Sequence, residues 1–180
     1  NGILTLDGGT LEFRSFYDDE DDDEWNEIIE IYRRIILTAN DGYIDTYSED
    51  GIIYSEIQGE GGLQKSGEHH LTLAAENKYS GGTYVQSGEL QIGDGGNAGS
   101  IIGNVEVDVG AKLSFNRSDL FEIEHLVAGG GQVVFKGEGN AIWSTNSGDF
   151  EGVTSISNGT LTLKGNLGGL ISVAPDRSEE

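Results

Sequence analysis

Three stretches of this chain hold the residue types from which a chemical site is built. His69 and His70 stand side by side, Asp18 to Glu24 is an unbroken acidic run ended by Trp25, and "GDGGNAG" sets an aspartate among glycines from Gly93 to Gly99. Adjacent histidines on a strand point to opposite sides, so they cannot share one metal ion, and His125 is far along the chain. They read as a polar pair at a turn. The acidic run can bind calcium loosely or meet a basic partner, and an exposed Trp25 beside it can stack on a sugar or a cation. Asp21, Asp22, Asp23, Glu24 and Trp25 are therefore the candidate partner-binding residues. The plainer alternative is a solvated loop, because like charges at that density repel, with Trp25 packed on the flank of the fold. The glycine stretch is similar to calcium-binding glycine-aspartate repeats but occurs once, which suits an ordinary turn.

Hydrolytic chemistry needs a nucleophile with its base, or two convergent carboxylates. The chain has no G-x-S-x-G, H-E-x-x-H or phosphate-binding glycine loop. No catalytic, cofactor or metal residue is nominated, and the chain is expected not to be an enzyme. A net charge of −22 from 32 acidic and 10 basic residues argues against nucleic acid and against an anionic bilayer. With no cysteine, neither disulfides nor thiolate chemistry is available. The first residue is Asn1 and no apolar run is long enough to span a membrane, so the chain reads as a piece of a longer protein.

The elements that must position these residues are short strands. Glycine supplies 29 residues, proline only Pro175, and alternating apolar and polar side chains recur between Gly, Asn, Asp and Ser turns. The segment from Trp25 to Leu37 fits two periods. Trp25, Ile28, Ile29 and Tyr32 form a helical stripe, while Ile29, Ile31, Arg33, Ile35 and Leu37 alternate as a strand re-entering after the acidic loop; the strand is the favoured reading.

Strand-and-turn grammar repeats. An offset of 71 residues carries Tyr79 to Phe150, Thr83 to Thr154, Gly88 to Gly159, Leu90 to Leu161 and Ile92 to Leu163. It also carries Leu63 to Val134 and Lys65 to Lys136, and the opening Gly2, Leu4 and Leu6 echo Gly88, Leu90 and Ile92. Repetition of such units signals a solenoid. The expectation is an all-β parallel β-helix of roughly eight rungs, with residues 1–174 as one segment, an acidic insertion near residues 17–28 and a polar tail at 175–180. Its inward ladder should hold Leu71, Leu73, Val85, Leu90, Ile92, Val105, Val107, Leu113, Phe115, Val133, Phe135, Leu161 and Leu163.

The stretch "GGLQKSGEHHLTLAAENKYSGGTYVQSGELQIG" (61–93) resembles the passenger-associated β-strand repeat of autotransporters, through Leu63, Lys65, Gly67, Leu71, Leu73, Asn77, Tyr79, Gly81, Gly82, Thr83, Gly88, Leu90, Ile92 and Gly93. It departs from the usual pattern at His69-His70 and in the acidic insertion. The resemblance implies a right-handed β-helix exported through the periplasm and outer membrane of a Gram-negative bacterium to the cell surface, with a C-terminal β-barrel in the parent chain. It implies a non-catalytic stalk serving adhesion or self-association, whose partners are host or bacterial cell-surface ligands or a second copy. The rival readings are a carbohydrate-active β-helix enzyme and a passive spacer or folding template for an N-terminal effector such as a protease.

Overall fold

The computed structural model describes residues 2–14 and 28–173. Every described regular element is a strand, and the strands, numbered along the chain, pair in parallel with strands about one turn away. One face carries β1 (Leu4–Leu6), β4 (Ile35–Leu37), β7 (Ile57–Gly59) and β10 (Lys78–Tyr79). The second carries β2 (Thr10–Phe13), β5 (Gly42–Thr46), β8 (Leu63–Ser66), β11 (Thr83–Val85), β13 (Val105–Val107) and β16 (Val127–Gly129). The third is the longest: β3 (Ile29–Ile31), β6 (Gly51–Ile53), β9 (His70–Leu73), β12 (Glu89–Ile92), β14 (Lys112–Phe115), β17 (Gln132–Phe135), β19 (Val153–Ile156) and β21 (Leu170–Val173). Beyond the Gly93–Asn104 excursion, β15 (Leu120–Ile123), β18 (Asn140–Trp143) and β20 (Thr160–Leu163) follow the third face in chain order and take the place of the first. The result is a parallel β-solenoid of about seven turns, in agreement with the expected architecture.

Alternation explains the core. In β9, β12, β14 and β17 the residues Leu71, Leu90, Leu113 and Val133 stack in register, and Leu73, Ile92, Phe115 and Phe135 form the next ladder inward. All eight are buried in one continuous apolar cluster, with Phe115 and Phe135 stacked at 5.2 Å. Fully burying one such side chain contributes roughly 1.5–3 kcal/mol, which offsets the ordering of short strands that could not stand alone. Corners need glycine. Gly67 and Gly88 have φ of 81° and 63°, and a β-carbon on Gly88 would meet the Gly67 carbonyl oxygen at 2.4 Å. Corner therefore packs on corner, and a larger residue has neither the angle nor the room.

The strand reading of the ambiguous early segment holds, since Ile29–Ile31 and Ile35–Leu37 are β3 and β4. Two expectations do not. Leu163 is 45% exposed and Leu161 only partly buried, because β20 is the last strand of its sheet and no further rung covers it. The 71-residue offset also slips by one around Lys65: Leu63 and Lys65 point inward, whereas Val134 and Lys136 are half-buried on the outside. A one-residue slip on a strand exchanges inside for outside. The tail at 175–180 lies outside the described residues, as does nearly all of the acidic insertion.

Candidate functional site

The outward positions of the second face form a polar row. Tyr43, Gln64, Tyr84 and Glu106 are register partners on four successive rungs, projecting away from the core that their neighbours Ile44, Leu63, Val85 and Val105 fill. Their side chains are tied along the rod. Gln64 Nε2 lies 3.3 Å from Tyr43 Oη, Gln86 Nε2 donates to Gln64 Oε1 at 3.1 Å, and Tyr84 donates its hydroxyl to Asp108 Oδ2 at 2.7 Å. That bond to Asp108 raises the Tyr84 phenol above its ordinary range. At the corner with the first face the row borders a groove of about 510 Å³ whose floor is Gly62, Gly81, Gly82 and Gly103. Asp41 closes one wall in a left-handed conformation (φ 65°), and its Oδ1 accepts from the Gly62 amide at 2.7 Å. Glycine is required in the floor: a β-carbon on Gly81 would lie 2.3 Å from the Gly62 nitrogen.

A second cluster lies on the third face. Glu89 is 5% exposed and accepts hydrogen bonds from Lys136 Nζ at 2.6 Å, Ser114 Oγ at 2.5 Å and Lys112 Nζ at 3.2 Å. Burial pushes its carboxyl up, but the bonds and charges of Lys136, Ser114 and Lys112 outweigh it and hold the pKa down at about 2. A carboxylate held so low is an anchor for three rungs and a poor proton donor, since acid catalysis at neutral pH needs a raised pKa. Inside the rod, Lys65 is fully buried and donates to the carbonyls of Ser66, Gly67 and Ser87 at 2.9, 2.6 and 2.9 Å. Desolvation lowers its pKa to about 8 despite nearby acids. Its ammonium closes the glycine corner from within.

Asp21, Asp22, Asp23, Glu24 and Trp25 lie outside the described residues. The two histidines form the polar pair at a turn that was expected, and neither points inward. His69 sits in the turn before β9 and His70 opens the strand, so both Nδ1 atoms face the Asp50 carboxylate from outside at 3.5 Å. His70 Nε2 lies 3.6 Å from Glu89, which joins the pair to the lysine-bound cluster. His125 is remote, and its buried Nε2 has no hydrogen-bond partner; burial lowers its pKa to about 4. No set of three or more His, Asp or Glu poised for a metal occurs among the described residues. Sequence reasoning passed over Gln64, Tyr84, Glu106 and Glu89. Alternation marked each as outward, but only the length of each turn brings Gln64, Tyr84 and Glu106 into one row and sets Glu89 beside Lys112 and Lys136 on another face.

A parallel solenoid with a glycine-floored corner groove defines the structural class, and comparison with known proteins supplies the family. Residues 63–92 match the sequence model described as the passenger-associated-transport-repeat. The chain is 35% identical over 143 residues to the adhesin BmaC autotransporter of Brucella suis biovar 1 (strain 1330), an alignment that takes in 69% of this chain and 4% of that protein. No solved structure matches the chain. The chain is repeat-bearing autotransporter passenger sequence, as the resemblance implied.

Proposed function

We propose that this segment is part of the stalk of a surface-exposed passenger, carried to the outside through the outer membrane by a β-barrel elsewhere in the parent chain, and that it contributes to adhesion or self-association without catalysis. The observation that carries this reading is the continuous ladder: the third face runs through eight parallel strands, its middle strands lying over one continuous apolar core. Such a rod holds whatever it bears at a distance from its anchor and presents rows of outward side chains at a spacing of about 4.8 Å. The similarity to an adhesin favours an adhesive role. The carboxylates favour a non-catalytic one, because Glu89 is bound by two lysines and Asp41 by a backbone amide.

The net charge of −22 sets the conditions for contact between rods. Like-charged faces repel within a screening length of about 10 Å at 0.1 M salt, so calcium bridging acidic side chains should strengthen pairing. Display of the parent protein on a bacterial surface, with aggregation followed by settling with and without calcium, tests this directly. Calcium-dependent clumping that weakens when residues 18–24 are removed supports the reading. Clumping and adhesion unchanged by deletion of residues 2–173 would overturn it.

A further inference from the structure

We infer that the groove at Asp41, Gln64, Tyr84 and Glu106 is a binding site for a neutral or N-acetylated β-linked glycan lying along the rod. This deepens the adhesive reading proposed above and rests on it only for biological relevance, since binding to the purified chain is measured independently.

The chemistry of the groove selects its ligand by elimination and by fit. Its lining holds Asp41 and Glu106 and no lysine, arginine or histidine. A phosphate, sulfate or uronate would meet uncompensated carboxylates, so anionic ligands are disfavoured. An extended peptide is disfavoured for another reason. β8, β11 and β13 are each paired on both sides, leaving no open edge for a strand to join. A buried apolar anchor also has nowhere to go, because the floor is glycine and the lining residues Leu63 and Val105 are themselves buried in the core.

What remains is a ligand rich in hydroxyls. Ser80 borders the groove with an exposed hydroxyl, Gln64 Oε1 keeps a second lone pair beside its bond from Gln86, and the Glu106 carboxylate is an acceptor with no hydrogen bond or ion pair among the described residues. The hydroxyl of Tyr84 is committed to Asp108, which fixes the ring in place and leaves its face as the apolar surface of the groove. A pyranose has the matching two-sided character, with C–H groups on its faces and hydroxyls around its rim. Tyr43 and Tyr84 lie two rungs apart with Gln64 between them, a spacing of about 9.6 Å. An extended β-linked glycan presents equivalent sugar faces at a comparable interval, so one chain along the axis could engage both rings. The glycine floor and the preformed network leave little to order on binding.

Titration of the full 180-residue chain with cellotetraose, chitotetraose and tetragalacturonate, read by calorimetry and ligand-observed NMR, tests the assignment. The expected result is saturable binding of at least one of the two neutral tetrasaccharides and none of the uronate. Tyr84→Ala should weaken that binding at least tenfold, and Gln64→Ala several-fold. Tyr84→Phe, which keeps the ring, should retain most of it. Circular dichroism of each variant checks that the rungs persist. Absence of neutral-glycan binding, equal binding of the uronate, or folded Tyr84→Ala and Gln64→Ala proteins that bind as wild type would each overturn the proposal. Clumping on cells in the absence of glycan binding would overturn this site and leave the adhesive reading standing. Glycan binding without adhesion would do the reverse.

Discussion

The segment from Tyr79 to Ile92 lies in the middle of the rod, where β11 and β12 each have a hydrogen-bonded rung above and below. Its sequence counterpart from Phe150 to Leu163 lies where the ladders run out, with β20 at the end of its sheet. The two are also rotated against each other. Thr83 is on the second face and Thr154 on the third, while Leu90 is on the third and Leu161 on the sheet that follows it. Both copies keep the strand, the left-handed glycine corner at Gly88 or Gly159, and the next strand. The repeated residues thus encode a corner and its two flanking strands. They do not encode a face, because the chain between the copies makes three turns and one face more.

The comparison is broken most forcefully by deleting one leucine from each copy. Leu90 is fully buried between Leu71 and Leu113, so Leu90→Ala should cost about 3–5 kcal/mol as a cavity the neighbours cannot fill. Leu161→Ala, with half of its surroundings missing, should cost about 1 kcal/mol. Urea unfolding of both variants measures the gap. Equal losses would mean that neighbouring rungs do not set the energetics of the repeat.

Much of this was legible beforehand because it is local. Alternation gave the inward ladder from Leu71 to Phe135, and glycine spacing gave the corners. What escaped is non-local. Turn lengths vary, with register partners 20 residues apart at Leu63 and Thr83 but 22 apart at Thr83 and Val105. Face and register therefore accumulate along the chain and cannot be read from one window. That is why Lys136 was aligned with Lys65 yet lies on the outside, why Leu163 was assigned to a core that has no rung above it, and why Gln64, Tyr84 and Glu106 were not seen as one row.

The two lysines sharpen the contrast through pH. Lys65, held near 8 by burial, releases its proton in the folded chain well before it does so unfolded, near 10.5. The folded state then binds fewer protons, so stability should rise by about 2 kcal/mol between pH 8 and pH 10. Lys65→Met should abolish that rise, although it leaves three carbonyls unpartnered. At the other end of the scale burial raises the Glu89 carboxyl, but Lys136, together with Ser114 and Lys112, holds it near 2 against an ordinary 4.5. That contribution is present above pH 4.5 and lost as pH falls toward 2, a drop on the order of 3 kcal/mol. Lys136→Met should shift the onset of acid unfolding upward. Melting curves across both windows separate the two effects, and a flat profile for either wild-type limb would refute the corresponding assignment.

The smallest expected effect separates the copies at one hydroxyl. Tyr79 and Thr83 are both buried and share a hydrogen bond of 2.7 Å between their hydroxyls, a pairing that satisfies both inside the core. At the corresponding positions Phe150 has no hydroxyl to offer, and Thr154 Oγ1 is buried without a partner. An unpaired buried hydroxyl costs about 1–3 kcal/mol relative to an apolar group of the same shape. Thr154→Val should therefore stabilise the chain by about 1 kcal/mol, whereas Thr83→Val, which strands the Tyr79 hydroxyl, should destabilise it by a similar amount. The opposite signs are the useful result. If both substitutions destabilise, Thr154 has a partner and the two copies are satisfied alike; if they diverge, the tyrosine of the first copy is there to serve the threonine four residues on, and the second copy has lost that pairing.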